Sequence, residues 1–595
     1  MIDLVKLLKV PHVDPDKGFD ISPDGMRVAF SWNPTGRWEI YEMPISGSNP
    51  HRQVTNGEGS KFAPKYAPDG TQLAYGLDLY GGEEFHIILH DLATGGHTDL
   101  TPDVDYAILP NFDWSPDGKE IAIITNRTGC FNTYVLPIRG GPIQLVLDNG
   151  YPACAVRWSP DGRWLAVEVE LERQDHGIFI VPAHGGEAIQ IIDERGGKKA
   201  HDPCWSLDST SLVFWGSPRE LINDICMYSV TAKSSQMLHD GSSEKTHPEW
   251  SPDGEKIAYI ACRGADTWLA VQERGYLPEK YQVEAGVHYQ PRFTPDGRHL
   301  ILVYENPRHP PDLWVFELEG GTFRQLTNSL PGDMAGHAFV IPEQIMYPGM
   351  DVHDIPAVLY TPPEANQDTP AVVNIHGGPD WHYQYCWNPF ITHLASRGWT
   401  VLAPNYRGST GFGPGWQNEN RYDLGGVDTC DVAAGVMYLV QQGLANPKRI
   451  AVTGRSHGGY LTMTCLTQYP DLWAAGSAVV PFLNWFTAHA NSRSDQQHWD
   501  LENMGDPKKN HDLWYKHSPY FFLDSVRAPV QFICGEHDPR CPASESIEAR
   551  DKLLSLGKEV DFTLYKDEGH SFLKIENVID SEVRRLDFLV KALER

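Results

Sequence analysis

Ser456 stands between two glycines in "VTGRSHGGYLTM", with His457 directly after it. A serine hydroxyl attacks a carbonyl only when a base removes its proton and donors receive the resulting oxyanion, so partners must exist elsewhere in the chain. Asp538, in "GEHDPR", and His570, in "DEGHSF", follow Ser456 by 82 and a further 32 residues. The order serine, acid, histidine is the one in which a strand-to-helix elbow collects a triad. The chemistry these residues could do is acyl transfer, with Ser456 as nucleophile, His570 as general base and then acid, and Asp538 orienting the imidazole. The backbone N–H of His457 is one candidate donor to the oxyanion, while its side chain points away from the tip of the turn. The loop "NIHGGP" supplies the other donor, assigned to Gly378. Asp567 and Glu568, next to His570, are read as solvated loop carboxylates.

The elements that must hold these residues are legible in the second half of the chain. "AVVNIHGGP", "WTVLAPNYRG", "RIAVTGRS", "PVQFICGEHD" and "VDFTLYKDEGH" are β-branched runs separated by helical stretches, the pattern of a parallel sheet with crossover helices. Sites in such sheets are built at the carboxyl ends of the strands, where Gly378, Ser456, Asp538 and His570 all fall. From about Leu330 the expectation is therefore an α/β-hydrolase fold with a Ser-Asp-His triad.

The first half carries a different rhythm. "ISPDGMRVAF", "YAPDGTQLAY", "WSPDGKEIAI", "WSPDGRWLAV", "WSLDSTSLVF", "WSPDGEKIAY" and "FTPDGRHLIL" are one motif seven times over, starting at Ser22, Ala67, Ser115, Ser159, Ser206, Ser251 and Thr294 in steps of 45, 48, 44, 47, 45 and 43. Each copy is a strand end, a Pro-Asp-Gly turn and an alternating strand, with further short strands before the next copy. A four-stranded unit with that period is a propeller blade, so residues 15–329 are expected to form a seven-bladed β-propeller. The fifth copy has Leu207 and Ser209 in place of Pro and Gly, which predicts a less regular turn. Alone, such a domain is a binding scaffold.

Composition excludes several classes. A formal charge of −29 over 595 residues repels phosphate backbones and anionic membranes, so neither is expected as a partner. The N-terminus has no long apolar core or small-residue cleavage site, and no apolar run reaches about 18 residues, which points to a cytoplasmic protein. The ten cysteines form no C-x-x-C, so buried free thiols are expected, and neither a metal site nor a cofactor.

A seven-bladed propeller followed by "HGGP", "NYRGSTGFG", "GRSHGGY", "GEHDPRCP" and "EGHSF" resembles the prolyl oligopeptidase family of serine peptidases, most of all its acylaminoacyl peptidase and oligopeptidase branch. The resemblance implies the roles given above for Ser456, Asp538, His570, Gly378 and His457. It implies that Arg540 holds a substrate carbonyl, against the simpler reading that it pairs with Glu536. It implies that residues 1–14, with Ile2, Leu4, Val5, Leu7 and Leu8 before Pro11, form a helix that packs on the hydrolase domain of residues 330–595. His376 stands where other branches use a tyrosine for the oxyanion, and Cys541 where valine is common. Glu83 and Glu84 invite comparison with the glutamate pair of dipeptidyl peptidases but are read as ordinary blade-strand residues. Phe482, Trp485 and Phe486 are candidates for an apolar substrate pocket. The function implied is hydrolysis of short peptides, with the propeller limiting substrate size; the alternatives are an esterase or amide hydrolase for small acyl compounds, or a dipeptidyl-peptidase-like aminopeptidase. The intact Ser, Asp and His speak against an inactive binding protein. Homo-oligomerisation is left open.

Overall fold

The structure, a computed structural model, describes the whole chain except residues 17, 48–49, 103–104, 173–174, 192–198, 217–221, 239–242 and 595. It divides into two compact units, one of Met1–Val10, Tyr80–Gly82 and Leu330–Arg595, the other of Pro11–Leu79 and Glu83–Ser329.

The first unit is built on an eight-stranded sheet. Its strands are β1 (Glu343–Pro348), β2 (Asp354–Tyr360), β3 (Ala371–Ile375), β4 (Thr400–Pro404), β5 (Ile450–Arg455), β6 (Ala475–Val479), β7 (Val530–Gly535) and β8 (Val560–Tyr565). They lie in the order β1-β2-β4-β3-β5-β6-β7-β8; the pairs β1–β2 and β2–β4 are antiparallel and the remaining pairs are parallel. Strands β3, β4 and β6 are buried along their whole length, which explains why they carry no charged residue. This is the α/β-hydrolase sheet. The short antiparallel strands β1 and β2, and the Ala-Gly-Ser strand β6, carry too weak a β signal to stand out in the sequence.

Helix α1 (Leu4–Leu8) starts at Asp3, whose carboxylate accepts from the Lys6 N–H at 2.8 Å. It packs on α2 (Pro389–Ser396), where Ile2 O meets His393 Nδ1 at 2.7 Å and the Ile2 N–H donates to Ser396 Oγ at 2.8 Å. Ile2, Leu7 and Val10 are buried beside Met334, while Val5 and Leu8 are only half-buried.

The second unit is seven four-stranded antiparallel sheets, each with its strands in chain order. It is a seven-bladed β-propeller. The repeated motif explains both the blade and the ring. In the first copy Ser22 Oγ donates to Asp24 Oδ1 at 2.6 Å and accepts from the Arg27 N–H at 2.9 Å, closing the turn. The turn glycines also sit on the prolines of the preceding copy: a Cβ on Gly70 would lie 3.7 Å from Pro23, and one on Gly118 3.6 Å from Pro68. The fifth turn is as regular as the rest, contrary to expectation. Ser209 takes the glycine's place at φ +59°, and its hydroxyl accepts from the Asp161 N–H at 3.0 Å, which offsets the backbone strain.

Two residues before each turn, six blades place Asp20, Lys65, Asp113, Arg157, Glu249 and Arg292, and the fifth places Cys204. These groups converge: Lys65 Nζ is 2.8 Å from Asp113 and Arg292 is 3.6 Å from Glu249. Burial pushes the Asp20 carboxyl up to about 6 despite the Tyr66 N–H it accepts and the cations of Lys65 and Arg292. Glu83 and Glu84 do not lie on a blade strand. They sit in the loop after the strand Gln72–Asp78, because Gly81 and Gly82 end the extended run, and Glu83 itself has φ +56°.

Among the described residues no helix is long and apolar enough to cross a membrane. All ten cysteines are free, and five of them are half-buried where full burial was expected.

Candidate active site

Ser456 sits at the turn between β5 and helix α4 (His457–Gln468), with φ +58° and ψ −124°. A non-glycine residue in this region carries strain of order 1–3 kcal/mol, and here the surrounding backbone imposes it. The Ser456 N–H donates to Val479 O and the Ser456 carbonyl accepts from the Tyr460 N–H, both at 2.9 Å. The flanking glycines are required by space: a Cβ on Gly458 would come within 2.3 Å of Ile375 O, and one on Gly454 within 2.4 Å of Gly458 O. The Ser456 side chain makes no capping bond to the helix, so its hydroxyl projects beyond the helix N-terminus.

His570 and Asp538 end neighbouring segments of the same sheet edge. His570 Nδ1 lies 2.8 Å from Asp538 Oδ2. An ionised carboxylate can only accept, so Nδ1 carries the proton and Nε2 keeps a lone pair. The other Asp538 oxygen accepts the N–H groups of Arg540 and Cys541, each at 2.9 Å, which fixes the carboxylate plane. The Cys541 thiol lies beside Ser456, and its sulfur is within 4.8 Å of the ligand atoms of Asp538 and His570, so the three predicted groups meet around one cysteine. Burial holds that thiol far above its usual range.

Glu568 is not the solvated carboxylate the sequence suggested. It is buried and accepts the Leu573 N–H at 2.8 Å, the Lys574 N–H at 3.1 Å and the Asn577 amide at 2.8 Å, thereby pinning the loop that carries His570. Asp567 is the exposed member of the pair and bonds Lys574. Arg455 was missed altogether. Its half-buried side chain donates to the carbonyl of His570 and lies over the Phe572 ring at 5.2 Å. The one signal available was its place directly before the serine.

His457 is buried, with Nε2 3.4 Å from Asp428, so its side chain does turn away and its N–H belongs to the first turn of α4. The "HGGP" loop closes on the elbow: a Cβ on Gly377 would stand 3.3 Å from that of Ser456. Gly378 follows at φ +114°, a backbone conformation that favours glycine. His376 stacks on Tyr406 with ring centroids 4.3 Å apart and pairs with Ser409 Oγ at 2.9 Å. Burial lowers its pKa to about 3, so the imidazole is neutral.

Arg540 has an exposed side chain while its N–H is committed to Asp538. Phe482 is half-buried, stacked on Tyr460 at 4.4 Å and 6.4 Å from the His457 ring. Trp485 lies behind it as core: it is 1% exposed, and its indole N–H donates to Tyr460 Oη at 3.2 Å. Phe486 turns the other way, onto Trp514 at 5.6 Å. Glu545, buried and unremarked in the sequence, accepts the N–H groups of Leu483 and Asn484 and so sets the path of this segment.

Residues 381–595 match the model of the prolyl oligopeptidase family. The dipeptidyl aminopeptidase BIII of Pseudoxanthomonas mexicana is 25% identical over 587 residues, covering 94% of this chain and 84% of that enzyme. The acylamino-acid-releasing enzyme of Rattus norvegicus is 26% identical over 482 residues, covering 78% of this chain and 61% of that enzyme. A solved structure of a puromycin-hydrolysing peptidase from Mycobacterium tuberculosis superposes with a TM-score of 0.86 at 19% identity, covering 100% of this chain and 96% of that one. Over its hydrolase part the chain is therefore similar to the prolyl oligopeptidase family. It is a serine peptidase, and its propeller and hydrolase sheet match the fold of solved structures such as the puromycin-hydrolysing peptidase.

Proposed function

We propose that the chain cleaves short peptides through an acyl-enzyme on Ser456, in the manner of an acylaminoacyl peptidase or oligopeptidase. The observation that carries this reading is the positive-φ serine at the head of α4, whose hydroxyl meets a cysteine that also touches the bonded Asp538–His570 pair. His570 Nε2 removes the hydroxyl proton as Ser456 attacks the scissile carbonyl, and Asp538 stabilises the imidazolium that forms. The N–H groups of His457 and Gly378 receive the oxyanion. His570 then protonates the leaving amine, and a water attacks the ester by the same path in reverse. Arg540 holds a second carbonyl of the peptide, and Phe482, with Trp485 behind it, forms the apolar wall for a side chain. The reaction needs no cofactor, the propeller restricts the substrate to short chains, and the setting is cytoplasmic.

The match to a dipeptidyl aminopeptidase along most of both chains favours a second reading, release of a unit with a free amine. A panel of free-amine, N-acylated and ester substrates separates the readings. The first reading expects the highest kcat/KM on N-acylated amides; higher values on free-amine dipeptide amides select the second. Failure of a fluorophosphonate to label Ser456 would overturn both.

A further inference from the structure

Blades four and five of the propeller gather a group of side chains that the hydrolytic chemistry does not use. Cys154 lies on the strand Ala153–Trp158, Glu168 on Trp164–Glu170, His176 begins His176–Pro182 and His201 begins His201–Trp205. The register slips between Ala153 and Ala155, so Cys154 is the extra residue of a bulge, a device that re-aims a side chain. Its sulfur is thereby brought 3.5 Å from His176 Nδ1. Glu168 Oε1 is 2.8 Å from His176 Nδ1 and 3.1 Å from His201 Nδ1. The atoms of Cys154, Glu168 and His176 all lie within 4.8 Å of one another.

We propose that Cys154 Sγ, His176 Nδ1 and Glu168 Oε1 form a three-ligand binding site for one zinc-class divalent ion, with His201 holding Glu168 from behind. Thiolate, imidazole and carboxylate together are the donor set of tetrahedral zinc, and bond lengths of about 2.0–2.3 Å put such donors roughly 3.3–3.7 Å apart. The sulfur–nitrogen separation already matches, and the His176–Glu168 nitrogen–oxygen separation needs to open by about half an ångström. A hydrogen-bonded His–Glu–His cluster accounts for three of the groups, and the Cys154 thiol donates to the Glu168 carbonyl at 3.5 Å while its sulfur stands equally close to His176 Nδ1.

The supports expected behind metal ligands are present. The second Glu168 oxygen accepts the Asp202 N–H at 2.9 Å. The His201 ring is stacked on Trp215 with centroids 3.8 Å apart, and Trp215 in turn donates to Asp202 at 2.7 Å. The His176 side chain is 28% exposed against 12% for His201 and 7% for Glu168, which gives an ion a way in. Binding displaces the proton of the Cys154 thiol and any proton on His176 Nδ1 to solvent.

The test uses the full chain, stripped by a chelator and titrated with Zn²⁺ and, as an optical probe, with Co²⁺. It is run in a Cys541→Val background, because Asp538, Cys541 and His570 are the other such group among the described residues. Expected are one saturable equivalent, a thiolate-to-cobalt charge-transfer band and a zinc-dependent rise in Tm. Cys154→Ser should abolish the band and weaken zinc at least tenfold, and His176→Gln should weaken zinc likewise. A far-ultraviolet circular dichroism spectrum and a melting curve without metal report that each variant is folded. Absence of a saturable equivalent, or unchanged binding and an unchanged band in either variant, overturns the proposal.

Discussion

Two carboxylate–imidazole pairs of equal length occur in this molecule, each with a cysteine beside it. Asp538 and His570 meet at 2.8 Å next to Cys541; Glu168 and His176 meet at 2.8 Å next to Cys154. What separates them is the group on the open side. The first pair faces a serine held at a positive φ at a helix N-terminus, so a proton can be taken from a nucleophile there. The second pair faces another imidazole and a bulged thiol on rigid strands, so the donors converge on a point where an ion fits and no reacting group is presented. A hydrogen-bonded pair does not by itself make a catalytic base; the backbone opposite it does.

The sharpest way to break this contrast is Ser456→Ala. Turnover of peptide and ester should fall by several orders of magnitude with the fold intact, and near-normal rates in pure variant protein would end the distinction between the two pairs. Next comes the matched exchange of the two carboxylates. Asp538→Asn should lower kcat by about 10³–10⁴-fold, whereas Glu168→Gln should leave the rate within twofold. Equal losses in a steady-state assay would mean that the propeller pair also serves the reaction.

A smaller effect is expected at Arg540, which sits two residues from Asp538. Its replacement by Ala should reduce kcat/KM by about 10–100-fold on N-acylated amides and little on p-nitrophenyl acetate, which has no second carbonyl to hold. The same loss on both substrates would assign Arg540 to supporting the Asp538 loop.

The smallest effect concerns a half-buried carboxylate that has no imidazole. Burial raises the Asp20 pKa to about 6 from 3.8, so the neutral form is favoured on folding. Its contribution to stability is full below about pH 4 and is lost as pH rises through about 6. Asp20→Asn should therefore raise Tm by a degree or two at pH 7–8, with the gain vanishing near pH 4. A gain that grows toward acid would show that Lys65 and Arg292 hold the group ionised.

How much was legible before folding depended on whether the signal was local. The propeller was visible because each Ser-Pro-Asp-Gly turn closes within six residues, as Ser22 and Arg27 do, and the chain repeats it. The elbow was visible because Gly454 and Gly458 must flank Ser456 for the strand and helix to approach. Glu568 and Arg455 were misjudged or missed because their partners, Asn577 and the carbonyl of His570, are assigned by loop packing. Trp485 was placed in a pocket for its aromatic character, and only the path set by Glu545 puts it in the core.

The sequence by itself determined the two architectures, the order of the reacting residues and the glycines that the elbow needs, because turn chemistry and strand periodicity act over a few residues. Tertiary structure alone decided what stands opposite each carboxylate–imidazole pair. Cys154, Glu168, His176 and His201 have no metal-ligand spacing along the chain. A bulge and cross-strand neighbours bring them together, and such contacts are set by strand register, which residue spacing does not encode.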